Sequence, residues 1–504
     1  LVVDGSGSAW STEESADRIM SMGPIDRSEE HVLRLSEQRR ETQSIFVGRG
    51  RSIERLAFST RSGIGHFYTW VSKRLVGFAH LEEGKLMGLA GWGEGQRPAD
   101  LPDLPIDEIV DGIDTPLLEY LASLSYNPAL RPTTTPPLDP LYAGLANWAD
   151  AVLGETVQHL ARTALKLSGC NRLCMAGGVA LNVVANRAIL DWIPGRMFIQ
   201  PAANDMGTPL GAALYGYYNL LHGRLPFQKN IAYLGRQRDP NETADAFALL
   251  SGAKHMENEH ALDREVAQLL KANKIVGWFQ GPSEYGPRAL GNRSILCSPR
   301  EPWMKDHLNN RVKHREAFRP FAPLVREERA PLFFDLDHPV PHMLFNATVL
   351  PEFRDRLPAI THVDGSARLQ TVGRHENPRL YQLLRAFEAV DDYGVLLNTS
   401  FNDAGEPIVE TVEDAVRCYD RTGLDALVCG NALLVKQETL AVGECPTDTD
   451  ASVHHAGEHA AFPGVGPNQS ANDDDDRFHL DRCDPRPQTQ TQKLALRRSP
   501  VNTQ

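Results

Sequence analysis

Between Leu262 and Leu296 the hydrophobic period of the chain changes twice. Leu262, Val266, Leu269 and Leu270 recur at helical spacing. The run KIVGWFQ, Lys274 to Gln280, is short and almost continuously apolar, which predicts a buried strand. GPSEYGPRALGNRSIL, Gly281 to Leu296, then breaks into glycine, proline and arginine. The order is helix, strand, then a Gly/Pro-punctuated loop carrying guanidinium groups. Glycines let backbone N–H groups approach a ligand closely. Arg288 and Arg293 add planar guanidinium forks suited to phosphate or carboxylate. Together they suggest an anion site at a strand end. For two arginines taken alone, a solvated surface loop is the simpler reading.

Downstream residues shift that balance. Lys313, His314, Arg315 and Arg319 lie in VKHREAFRPFAP, Val312 to Pro323. Arg368 and Gln370 follow in ARLQTV, and LLNTSFN, Leu396 to Asn402, is a strand-like run breaking into a polar loop. The charges are separated by Phe318, Phe321 and prolines, a pattern of pocket linings more than of solvated faces.

Three of these stretches, GPSEYGPRALGNRSIL, KHREAFRPFAP and LLNTSFN, resemble in order and spacing the C-terminal half of the O-carbamoyltransferases, the nodulation-type and antibiotic-tailoring enzymes. The match runs from about Leu1 to Lys436, and three long motifs are far more specific than one short pattern. The resemblance implies an α/β fold in which residues 1–225 form a partial ASKHA-like (actin/hexokinase-type) domain for carbamoyl transfer. Residues 226–440 would form a YrdC-like adenylating domain. It further implies ATP and carbamoyl phosphate as substrates, a carbamoyl-adenylate intermediate, a small-molecule hydroxyl acceptor from a natural product, and a divalent metal, Fe(II) in the family. By the same carry-over Arg288, Lys313 and Arg319 are catalytic. They hold carbamoyl phosphate and nucleotide phosphates and neutralise charge as phosphate leaves. Arg368, Asn398 and Ser400 contact the nucleotide and the intermediate. Asp4 and Asp205 are metal ligands.

The residues of the first half leave more open when read by themselves. Asp4 in VVDGSGS is an ordinary turn residue by spacing alone; only the resemblance makes it a ligand. Gly63 to Phe67 and EEGKLMGLAGWG, Glu82 to Gly93, also follow the family pattern, and Glu83 and Lys85 either serve the site or pair on the surface. A loop is expected over Asn127 to Pro140, then a long helix carrying Trp148, Val152, Leu160 and Ala164. LCMAGGVALN predicts a strand, the pair Gly177 and Gly178, and a helix to about Leu190, with Asn182 on its first turn. The diglycine suits a nucleotide-like ligand at a helix N-terminus, and a close-packed turn accounts for it as well. FIQPAANDMGTPLGAALYG repeats the logic, with Asp205 at the loop apex and a helix from about Thr208.

Two carboxylates alone make a weak site for iron or zinc, which favour imidazole. His338 and His342 have a paired spacing, but Pro339 and Pro341 forbid the helix that would aim both rings at one metal. His455 and His459 share the spacing in the tail. The chain opens without methionine on LVVDGSG, so we expect preceding residues, including the family's phosphate-binding hairpin and its helical His-x-x-x-His pair.

Lysine and arginine number 52 against 65 aspartates and glutamates, a net charge of −13, which argues against a general nucleic-acid binder. That weighs against the nearest alternative, a threonylcarbamoyl transferase acting on tRNA. A non-catalytic fragment is the other. The seven scattered cysteines suit reduced thiols in the cytoplasm, and no apolar run reaches the ~18 residues of a membrane span. Oligomeric state stays open, a homodimer included. Beyond about Ala441 Gly, Pro, Asp473 to Asp476 and QTQTQ dominate, which predicts a disordered tail over 441–504.

Overall fold

The computed structural model describes residues 1–4, 9–10, 39–59, 63–79, 81–104, 139–224, 231–236 and 252–436, with single positions 106, 123 and 247. The tail, His455 and His459, the loop over 127–138 and the boundary at 225 lie outside these residues. The described chain is mixed α/β.

In the first half, β1 (Val2–Val3), β2 (Gln43–Arg49) and β3 (Ser52–Ser59) pair antiparallel in that order. Val2 also bridges Ala176 in parallel, at the end of β4 (Leu173–Met175), which pairs in parallel with β5 (Met197–Ile199). Helix α1 (Ile64–Trp70) and helix α2 (Glu83–Ala90) lead to the long α3 (Pro140–Ser168). The expected helix is there for local reasons. Asp139 accepts from the Leu141 N–H, Pro140 stands at the first helical position, and Gly169 stops the helix with φ 66°. Trp148, Leu160 and Ala164 are buried on it as the periodicity predicts.

After Gly177 and Gly178 the structure departs from the expected continuous helix. A 3-10 turn spans Gly178–Leu181, and α4 (Val183–Leu190) starts only after it. Asn182 is the cap of α4, not a residue of its first turn: its Oδ1 accepts from the N–H groups of Val184 and Ala185. Helix α5 (Thr208–Tyr215) begins where the sequence places it.

The second half is built on an eight-stranded sheet. Its strands are β6 (Lys254–His255), β7 (Val276–Phe279), β8 (Arg293–Cys297), β9 (Ala322–Arg326), β12 (Gln370–Val372), β13 (Leu396–Ser400), β14 (Ala426–Cys429) and β15 (Ala432–Val435). A separate antiparallel pair is formed by β10 (Asn346–Thr348) and β11 (Ser366–Arg368). Across the large sheet the order is β12-β9-β13-β8-β7-β14-β15-β6. Only β12 with β9 and β14 with β7 are parallel.

The four residues of β7 are all buried. Val276 and Trp278 face α6 (Glu259–Lys271) and α7 (Pro378–Glu388), which bury Leu262, Val266 and Leu270, and Leu380, Leu384 and Phe387, in the same cluster. Phe279 faces the opposite core with Ile295, Cys297 and Leu427. Helix α8 (Val412–Arg421) covers that face and opens on a capping box between Thr411 and Asp414. This second core runs without a break into the first half, where it takes in Phe67, Trp148 and Leu153.

Candidate anion site

The two halves meet around one pocket of about 290 Å³. Its walls include Gly84, Gly88 and Val183 from the first half, and Arg288, Arg315, Arg319, Arg368, Asn398 and Ser400 from the second. Five of the residues singled out from the sequence, Arg288, Arg319, Arg368, Asn398 and Ser400, are thus brought together.

The loop that delivers Arg288 is pinned by a buried carboxylate. Glu284 Oε1 accepts from the N–H of Leu290 at 2.7 Å, of Asn292 at 2.8 Å and of Arg293 at 3.3 Å. Burial raises its pKa, against the pull of those hydrogen bonds. Gly286, with φ 136°, lets the loop press on the Pro201 carbonyl; a Cβ there would stand 2.9 Å from that oxygen.

The arginines stand against one another. Burial and the charge of Arg319 bring Arg288 down to about 10. Burial and the charge of Arg319, with Arg288 adding to it, bring Arg315 to about 9 despite Glu316. Burial, then Arg288, Arg315 and Arg319, push Arg368 well below its usual value. The Nε atoms of Arg288 and Arg368 are buried and meet no hydrogen-bond partner. Arg315 lies over the Phe321 ring at 4.1 Å and donates to the Pro320 carbonyl. Like charges held together with buried unpaired donors raise the free energy of the protein and favour a bound polyanion.

Asn398 is 1% exposed, and its Nδ2 donates to Gln370 Oε1 at 2.8 Å and to the Ala289 carbonyl at 3.2 Å. Its Oδ1 is buried without a partner. Lys313 sits behind the wall. Its Nζ donates to Ser400 O, Asn402 O and Asn402 Oδ1 at 3.0, 2.9 and 2.6 Å and reaches Ser400 Oγ at 3.3 Å. Burial, with Arg315 next, lowers it to about 7. Ser400 Oγ itself donates to Asn402 Oδ1 at 2.6 Å, so Lys313 and Asn402 together orient Ser400. Arg293 also departs from the expectation of an anion contact. It is fully buried in β8, stacks on Phe279 at 3.6 Å and donates to the carbonyls of Gln280, Gly281 and Asn292.

Comparison with known proteins fixes the family. Carbamoyltransferase C-terminus matches residues 267–436, and Carbamoyltransferase N-terminus matches residues 121–214. Nodulation protein NolO of Bradyrhizobium diazoefficiens is 38% identical over 402 residues, covering 78% of this chain and 72% of NolO. The chain belongs to the carbamoyltransferase family. An uncharacterized protein of Synechocystis sp. is 40% identical over 70% of this chain and 64% of its own length. Nodulation protein NolNO of Sinorhizobium fredii is 36% identical over 78% of this chain and 58% of its own. The chain thus spans between 58% and 72% of the length of these relatives.

Within this carbamoyltransferase family member the first-half residues singled out from the sequence do not line that pocket. Gly177, with φ 96°, lies against β1, where a Cβ would stand 2.1 Å from the Val3 carbonyl oxygen. The Gly178 N–H donates to Asp4 Oδ2 at 3.2 Å. Asn182 adds to its cap a bond from Nδ2 to Asp150 Oδ1 at 2.8 Å. Asp205 is exposed at the start of the turn Asp205–Gly207. Among the described residues no group of three or more His, Cys, Asp or Glu gathers into a metal set. Asp4 and Asp205 therefore do not by themselves fit a tight iron site. His338 and His342 lie outside any helix, as their prolines require.

Sequence reasoning gave no role to Arg315, His362 or Asp364. Arg315 belongs to the VKHREAFRPFAP stretch, but the left-handed conformation of His314, φ 46°, sets the direction in which the Arg315 side chain leaves the backbone. His362 and Asp364 carried no spacing signal. Among the described residues no helix is long and apolar enough to cross a membrane.

Proposed function

We propose that this chain carries the activating site of an ATP-dependent O-carbamoyltransferase. Carbamoyl phosphate and the phosphates of ATP bind in the arginine pocket; water cleaves carbamoyl phosphate to carbamate and phosphate, and a carbamate oxygen then attacks the α-phosphorus of ATP, giving carbamoyl-adenylate as pyrophosphate leaves. Arg288, Arg315, Arg319 and Arg368 neutralise charge that builds on those leaving groups. Ser400, oriented by Lys313 and Asn402, and the unpartnered Asn398 Oδ1 supply polar contacts at the end of β13. The second half is read as the YrdC-like domain and the first as ASKHA-like. The carbamoyl group then passes to a hydroxyl of a small-molecule natural product. Gly177 and Gly178 are read as the nucleotide-side wall of that transfer locus, with Asn182 supporting it from behind as the cap of α4, and no step is assigned to a metal on Asp4 and Asp205.

The observation that carries the reading is the convergence of four mutually repelling guanidiniums on one pocket. Its test is pyrophosphate release from ATP that depends on carbamoyl phosphate. Release is expected from the unaltered chain. It should fall roughly tenfold or more in Arg288→Ala and in Arg368→Ala, as loss of a charged contact implies. Release unaffected by either change would sink the assignment.

A further inference from the structure

Ala289 and Leu290 follow Arg288 directly, and side chains from the large sheet hold both of their carbonyls. Gln370 opens β12 and is 1% exposed. Its Nε2 donates to the Leu290 carbonyl at 2.8 Å. A carbonyl only accepts, so this bond fixes which end of the amide is which and turns Oε1 the other way. There Oε1 accepts from Asn398 Nδ2 at 2.8 Å, and the same Nδ2 donates to the Ala289 carbonyl at 3.2 Å. Two amides and two carbonyls thus close a buried circuit on the residues next to Arg288.

Further partners reach the loop from other elements. Tyr233 Oη donates to the same Leu290 carbonyl at 2.9 Å. Burial, with the charge of Glu284 next, raises the Tyr233 pKa and keeps the phenol a donor. Asn377, the cap of α7, donates from Nδ2 to Tyr233 Oη at 3.2 Å and to Asn292 Oδ1 at 3.0 Å. Gly291, with φ 107°, lets the loop press on α7, where a Cβ would run into the Leu380 side chain.

Arg315 and Arg319 are steered at their guanidiniums, by the Pro320 carbonyl and by Glu316. The Nε of Arg288 meets no hydrogen-bond partner, so the aim of this side chain depends on how firmly the backbone beside it is held. Neither Gln370 nor Tyr233 lines the pocket, so each can serve a ligand only through a neighbour. A side chain already held in place costs less to order when its ligand arrives. We propose that Gln370, with Tyr233 beside it, is a positioning residue for Arg288: their two bonds to the Leu290 carbonyl hold the loop where the guanidinium meets a phosphate group.

The inference rests on the phosphate-binding reading of the pocket, and the experiment separates the two. Pyrophosphate affinity is measured by calorimetry on the full chain, alongside the melting temperature. The proteins are wild type, Gln370→Met, Tyr233→Phe, Arg288→Ala, and each of the first two changes combined with Arg288→Ala. Met keeps the length of the Gln370 side chain, and Phe keeps the Tyr233 ring. Gln370→Met should weaken pyrophosphate roughly 3- to 10-fold and Tyr233→Phe roughly 2- to 5-fold, as loss of neutral hydrogen bonds implies. On top of Arg288→Ala the same changes should cost less than about twofold, because residues that act through Arg288 then have nothing left to position. Equal losses with and without Arg288, or a lowered melting temperature with affinity unchanged, overturn the positioning role alone. Should Gln370→Met fail to fold, Tyr233→Phe decides by the same comparison. A wild-type chain that binds no pyrophosphate overturns the pocket reading and this inference together.

Discussion

Arg368 shows how little of a pocket residue's behaviour is contained in its own identity. Burial and three neighbouring arginines oppose its charge, so it is a cost to the fold and an asset to the site. Arg368→Met keeps much of the stem packing and removes the charge. Pyrophosphate affinity, read by calorimetry, should weaken by about 1.5–3 kcal/mol, while the melting temperature without ligand stays level or rises. A joint fall in both would mean that Arg368 is structural. The charges of this site were legible in the sequence; their directions were not. Arg288, Arg319 and Arg368 reach the pocket, yet Arg293, from the same motif as Arg288, turns into the core to stack on Phe279. That outcome depends on which face of β8 position 293 takes, which no motif states. Lys313 stands behind the wall and serves it through Ser400.

Elements were easier to read where a local device fixes them. Asn258, Asn377 and Thr411 each cap a helix with a side-chain oxygen. Asn182 does the same work at α4, which is why the polar residue expected to face a ligand is committed to backbone N–H groups and to Asp150. Asp150 on α3 also accepts from Tyr68 Oη at 3.0 Å, and burial raises it from 3.8 to about 6 against both bonds. Between those values the folded protein keeps a proton that the unfolded chain has released. Its contribution to stability is therefore whole below about pH 4 and fades as pH rises through about 6. Asp150→Asn keeps an acceptor oxygen and removes the charge. Its gain in unfolding free energy over wild type should be larger at about pH 7.5 than at about pH 4, by roughly 2–3 kcal/mol. Equal gains at both would show that Asp150 does not titrate in this window. At the end of α2, Gly91→Ala has ordinary helical φ, −62°, and so tests space alone. The added methyl meets His362, and overpacking of this kind should cost about 1–3 kcal/mol in thermal or chemical unfolding.

At the scale of the molecule the order of the large sheet was beyond the sequence. Its neighbours β9 and β13 come from residues some seventy positions apart, paired by non-local contacts that periodicity does not encode. The joining of the halves was equally hidden. Lys85 Nζ of α2 reaches Glu316 Oε1 at 2.6 Å, and Glu316 Oε2 accepts from Arg319 at 3.3 Å. Burial notwithstanding, Lys85 and Arg319 hold the Glu316 carboxyl below its ordinary range. A double-mutant cycle of Lys85→Met and Glu316→Gln should give a coupling of about 1 kcal/mol in unfolding. Strictly additive effects would make the contact incidental.

The crowding of Arg288, Arg315, Arg319 and Arg368 has a consequence at the bench as well as in catalysis. Any polyanion that relieves it acts as a stabiliser by mass action, whatever its chemistry. Sulfate, phosphate or pyrophosphate in a storage buffer should therefore raise the melting temperature and, by the same binding, act as competitive inhibitors, whereas chloride at equal ionic strength should do neither. Preparations that look most robust would then be those whose site is already spoken for.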